Sequence, residues 1–194
     1  MPWEKNFDVE DAISCAIAVF WDKGYAAASM ADLTRAMGIN KGSLYNAFGS
    51  KKKLFIRALQ QYDRDRSQPA LNQMLKKKTP LEAINGLFDH AINHNCSSPA
   101  NKGCLLVNTA LEWPHHDADI QDMVAKSLNN LKDFFEQNII RGQVGGTIPA
   151  HINPQTTAHV LRSLIVGLQV LSRGASDPEA FQAVKIQVLN TLRG

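Results

Sequence analysis

The sequence predicts an all-α fold, with an N-terminal three-helix head built as a helix-turn-helix and a larger C-terminal helical domain, about nine helices altogether. Three observations carry this. Apolar residues recur at helical spacing through most of the 194 residues. Breakers cut that pattern into helix-length pieces at Pro80, Asn93 to Lys102, Pro114, Gly142 to Pro149, Pro154 and Gly174 to Pro178. The stretch from Ser29 to Lys53 reads as two short helices joined by a tight turn.

Each element has its own signals. Asp8 is placed to begin the first helix and Gly24 to end it, and Val9, Ile13, Ala16, Ile17 and Phe20 make its apolar stripe. Ser29 with Asp32 is the start of a capped second helix, whose apolar face is Leu33, Ala36 and Met37 and whose stop is Gly38. After the turn at Gly38, Ile39 and Asn40, Asn40 caps a third helix with Leu44, Ala47 and Phe48 inward. Its outward side is Lys41, Gly42, Ser43, Tyr45 and Asn46. Gly42 costs helix stability, so something is expected to approach the backbone there. A fourth helix starts at the Ser50 cap with the stripe Leu54, Phe55, Ala58, Leu59 and Tyr62. Five further helices are expected over 80–93, 103–113, 118–141, 154–173 and 178–192, with Lys76 to Lys78 on a solvated helix end or linker. The chain is divided into a head, 1–66, and a second domain, 67–194.

The charges single out the head. Between Leu33 and Gln61 stand Arg35, Lys41, Lys51, Lys52, Lys53 and Arg57, with no Asp or Glu among them. Such a patch attracts a DNA backbone through counterion release. A lysine run can equally be a solvated helix face; it gains meaning here by following a turn-linked helix pair.

Residues 9 to 62 resemble the N-terminal DNA-binding domain of the TetR family of bacterial transcriptional repressors. The resemblance runs from VEDAISCAIAVFWDKGYAAASMADL through RAMGINKGSLYNAFGSKKKLF. It includes the Gly24-Tyr25 helix exit, the Lys41-Gly42-Ser43-Leu44-Tyr45 core and the close at Phe48, Gly49, Ser50 and Lys51. It implies that Lys41, Gly42, Ser43, Tyr45 and Asn46 lie in or beside a major groove, with Lys51 and Ser29 on phosphates. Ala47 stands where many relatives have a histidine that helps hold the DNA backbone, so that contact is expected to be absent. The resemblance further implies a dimer on a palindromic double-stranded DNA operator, released by a small-molecule inducer.

Composition sets wider bounds. A 44% hydrophobic content permits a substantial core, and a net charge of +3 is only mildly basic, so the local patch carries the argument for DNA. No cationic-then-apolar leader and no apolar run of membrane-spanning length is visible, so a cytoplasmic protein without a membrane partner is expected. Cys15, Cys96 and Cys104, odd in number and without C-x-x-C spacing, are read as reduced thiols.

Other constellations could carry chemistry. Cys104 follows Gly103 at the start of an apolar helix with Lys102 nearby, and both a helix N-terminus and a cation favour thiolate. It is therefore a possible reactive thiol, and a short likeness around Gly103, Cys104, Leu105 and Val107 to oxidant- or electrophile-responsive TetR regulators points the same way. The alternative is a small cysteine packed as a hydrophobe. His90 and His94 share a helix face, and Cys96, His115 and His116 could add ligands, but this spacing arises cheaply and no acidic residue follows His90, so no metal site is assigned. Cys104 with a histidine could form a nucleophile and base. No nucleophile elbow, phosphate loop or dinucleotide fingerprint accompanies them, so neither an enzyme nor a cofactor is assigned.

In the second domain, Phe88, Trp113, Phe134 and Phe135 are candidates to line an inducer cavity, because large aromatics on the middle helices can border apolar space. The last two helices carry apolar residues around more than one face. Leu161, Leu164, Leu168, Phe181, Val184 and Val188 are the candidate dimer interface. A central helix of a monomeric bundle would show the same pattern. A dimer also meets a need of the head, since one short recognition helix reads few base pairs.

Overall fold

The structure, a computed structural model, describes residues 7–96, 102–174 and 177–193, and of residues 94–96 the backbone alone. Ten α-helices are present among the described residues, with no strand. Helix α1 (Val9–Ala27) begins where the Asp8 carboxylate accepts the backbone N–H groups of Glu10 and Asp11, and it buries Ala12, Ile13, Ala16 and Phe20. Gly24 kinks this helix rather than ending it. At φ +76 it leaves the helical region, and helical turns resume as far as Ala27. Helix α2 (Met30–Met37) carries the full Ser29–Asp32 capping box and stops at left-handed Gly38. Helix α3 (Lys41–Phe48) is capped by Asn40, and α4 (Lys51–Tyr62) by Ser50. Leu33, Leu44, Phe48, Leu54 and Phe55 meet Phe20 in the head's core.

Helix α4 does not end in a loop. It runs through a π-helical turn at Asp63–Ser67 into α5 (Gln68–Leu75), a helix that the sequence reading did not delimit. Lys76, Lys77 and Lys78 follow it, exposed. Then come α6 (Pro80–Cys96), α7 (Leu105–Leu111), a 3-10 turn at Trp113–His115, α8 (Ala118–Val144), α9 (Pro154–Leu171) and α10 (Pro178–Arg193). Helices α6, α8, α9 and α10 surround a second core that includes Ile84, Phe88, Phe135, Ile139, Leu161, Ile165, Phe181 and Val188. Apolar packing crosses residue 66, because Leu105 and Leu106 of α7 and Ile120 and Val124 of α8 belong to the head's core. Movements of α7 or α8 therefore bear directly on the head.

The candidate dimer residues lie mostly inward. Leu161, Leu168, Phe181 and Val188 are buried inside the chain's own core, and Leu164 and Val184 are half-buried against it. The apolar surface left outward on α9 is instead Val160 and Leu171, 47% and 45% exposed, with Leu164 and Gly167 between them, and on α10 it is Ile186 at 59%. The reason is geometric: α9 has two apolar stripes, and periodicity cannot say which one faces its own bundle. No helix among the described residues is long and apolar enough to cross a membrane.

Candidate nucleic-acid interface and effector cavity

The caps and turns of the head aim α3 outward. Leu44 and Phe48 are buried, which turns Lys41, Gly42, Tyr45 and Asn46 to solvent on the opposite side. Tyr45 is 41% exposed, with the Lys41 ammonium 5.9 Å from its ring centre. Ser43 is half-buried and donates its backbone N–H to the Asn40 side chain at 2.8 Å. Gly42 has a local reason as well, since a Cβ there would stand 3.3 Å from the capping oxygen of Asn40. Ser29 is exposed, but its hydroxyl donates to Asp32 at 2.7 Å while accepting the Asp32 N–H.

The basic patch is smaller than the sequence implied. Lys51 is half-buried, donates to the Ala26 carbonyl at 3.3 Å and lies 4.7 Å over the Tyr25 ring; burial pushes its pKa down. Lys52 is paired with Asp117 at 2.7 Å and Asp119 at 3.0 Å, carboxylates more than sixty residues away that no local count of charge could include. Arg57 lies over the Phe48 ring. Arg35, Lys41 and Lys53 stay exposed.

Lys52 belongs to a seam between the head and the start of α8. Beside it, the His116 ring packs on Tyr25 and Phe55 at 5.6 and 5.8 Å between centres. Its side chain is 1% exposed and neither ring nitrogen has a hydrogen-bond partner. Burial lowers its pKa, although Glu112 at 3.7 Å pulls the other way. Glu112 also approaches Gly24, whose φ of +76 is what calls for glycine there. On the other side of the head, Trp21 donates its indole N–H to the Lys102 carbonyl at 2.9 Å, and the Lys102 ammonium meets Asp22 at 3.1 Å.

A cavity of about 580 Å³ opens where the two parts meet. Trp21 and Tyr62 border it from the head, Arg66 from the π turn, and Leu87, Leu131 and Ile165 from α6, α8 and α9. Its size lies in the range of small-molecule sites. The aromatic candidates are placed elsewhere: Phe88, Phe134 and Phe135 are buried core residues packed ring against ring, and none of them borders the cavity. Large rings fill space, and the opening lies instead where small residues such as Ala70, Ala91 and Gly103 face inward. Trp113 borders a separate recess of about 380 Å³ with Arg162 and Val166.

Cys104 occupies the N-cap position of α7 without a side-chain cap hydrogen bond, and it borders the main cavity. Its pKa is raised rather than lowered. Burial pushes the thiol up, and this outweighs the Val107 amide, the Tyr62 hydroxyl and the Leu106 amide, which all favour thiolate. The Lys102 ammonium, turned to Asp22, is not its activating neighbour. Of the histidines, His90 borders the cavity, His115 is exposed and His116 is in the seam, so these three are not brought together. The side chains of His94 and Cys96 lie outside the described residues.

Residues 80–188 match the model of the tetracyclin repressor-like C-terminal domain, and residues 12–58 that of the bacterial regulatory proteins of the tetR family. The chain belongs to the TetR family. Among its relatives are the uncharacterized HTH-type transcriptional regulator YezE of Bacillus subtilis, 28% identical over 92% of both chains. The HTH-type transcriptional repressor ComR of Escherichia coli is 29% identical over 92% of this chain and 86% of its own. In structure, the TetR family regulator CifR, as a cysteine mutant complexed with 26-base-pair operator DNA, superposes with a TM-score of 0.85 at 28% identity, covering 97% of this chain and 98% of that one. This TetR protein is thus a DNA-binding transcriptional regulator.

Proposed function

We propose that this TetR regulator is a repressor that binds a palindromic operator as a homodimer and leaves it when a small-molecule inducer enters the cavity. Residues 1–66 read the DNA, and residues 67–194 hold the dimer and the ligand site. Lys41, Gly42, Ser43, Tyr45 and Asn46 address the major groove, with Ser29 and Lys51 at the phosphates; the outward face of α3 supports this. The outward stripe Val160, Leu164, Gly167 and Leu171 supports a dimer through α9. Gly167 sits in a helix interior where a Cβ would meet nothing of its own chain, and a glycine there lets a partner helix come close.

The observation that carries the inducer is the position of the cavity. Its walls come from both parts of the chain, so an occupant that fits one arrangement better than another shifts the head. The test is to select duplexes from a random pool and measure their release. A palindrome should emerge, and Leu131→Trp, which fills the cavity, should keep DNA affinity but lose release by the cell's own small-molecule extract. An asymmetric single site, or release undiminished in the filled variant, would count against this reading.

A further inference from the structure

We propose that the cavity accepts an apolar carboxylic acid, with the carboxylate on Arg66 and the hydrocarbon body among Leu87, Leu131 and Ile165; this rests on the reading of the cavity as an effector site. The chemistry of the lining favours this class. Most of the wall's surface is apolar, so the body of a ligand must be apolar. At the rim the charges are unequal in what they have left to offer. Asp65 is paired with Arg64 at 2.8 Å and Lys102 with Asp22 at 3.1 Å. No carboxylate among the described residues pairs with Arg66.

The setting of Arg66 is specific. Its guanidinium carbon lies in an aromatic corner, 5.0 Å from the Trp21 ring centre and 5.9 Å from that of Tyr62, and the two rings meet edge-on at 5.2 Å. The rings stabilise the charge of Arg66 without supplying an anion, so its N–H fork is left to receive a carboxylate bidentately. A cationic ligand would have to displace Arg66 from those same ring faces, and a neutral one would leave the fork without an anion. Arg66 also stands on the π turn that directly follows α4. A carboxylate bound there acts on the helix that carries the head, and π turns hold an extra residue whose release changes helix register.

The test uses two probes of one shape, decanoate and decanamide, titrated calorimetrically into the full-length protein and into Arg66→Gln and Leu131→Trp variants. Decanoate should bind the wild-type protein about tenfold more tightly than the amide, the size of one charge-assisted contact. That ratio should fall to about one in Arg66→Gln, and both probes should be lost in Leu131→Trp. Equal affinities in the wild type, a ratio that survives Arg66→Gln, binding that survives Leu131→Trp, or no binding of either probe would each overturn the inference. DNA release read alongside separates the two readings. Arg66-dependent decanoate binding without release would sustain the carboxylate site and refute the inducer role, whereas equal binding of both probes with release would do the reverse.

Discussion

Leu44 and Tyr45 are neighbours on α3 with opposite placements: one closes the head's core and the other stands in solvent as a large, costly exposed ring. Such a ring is expected to have a partner. Tyr45→Ala should therefore cost about 1–3 kcal/mol of binding to the selected operator, as for one lost base contact, with the thermal midpoint unchanged. Fluorescence anisotropy and a melting curve check both halves. Among the thiols, the order of reactivity should follow exposure. Cys15 is exposed and Cys104 is half-buried with its pKa raised, so timed alkylation at neutral pH should label Cys15 before Cys104. Mass spectrometry reads the order directly. Faster labelling at Cys104, with DNA release abolished by Cys104→Ser, would restore the thiol-sensing alternative that its place on the cavity wall keeps open.

Between elements, the seam joins the end of α1 and the face of α4 to the start of α8. His116 titrates there. Its ordinary pKa near 6.5 is lowered in the fold by burial, so the unfolded chain binds this proton more readily than the folded one. The stability that His116 contributes is therefore full above about pH 6.5 and is lost as pH falls below that value towards the lower folded pKa. Tyr25, Phe55, Glu112, His115 and Asp117 surround it, and Glu112 softens the loss without reversing it. Denaturant midpoints measured from pH 7.5 down to about 5 should fall less steeply in His116→Phe than in the parent. Equal slopes would show that the seam does not exclude the proton.

For the whole molecule, the pairing of two chains decides whether two heads can meet one operator. A carboxylate placed on the outward apolar surface of α9 or α10 would be buried without a partner in a dimer but solvated in a monomer. Leu171→Glu and Ile186→Glu should thus give folded monomers with weakened operator binding, whereas Leu161→Glu should unfold the chain, because Leu161 is enclosed in its own core. Light scattering with circular dichroism distinguishes these outcomes. Dimers persisting in both outward variants would place the interface elsewhere.

The head was legible in the sequence because its signals are local. Ser29 with Asp32, Asn40 and Ser50 cap helices through hydrogen bonds that span three residues, and Gly38 stops one by its own backbone freedom. Helix periodicity likewise gave the order and approximate bounds of most later helices. What depends on contacts between distant segments was not legible. Lys52 finds its counter-charges at the start of α8, His116 is enclosed by Tyr25 and Phe55, and Arg66 is set on Trp21 by the way α4 runs on into the π turn. The same holds for absence of matter: a stripe of aromatics marks apolar surface, but only three-dimensional packing determines that Phe88, Phe134 and Phe135 fill a core while smaller residues leave a cavity. Sequence spacing determines which face of a helix is apolar, and tertiary structure decides what that face meets, because burial, pairing and void are properties of chain segments brought together from far apart.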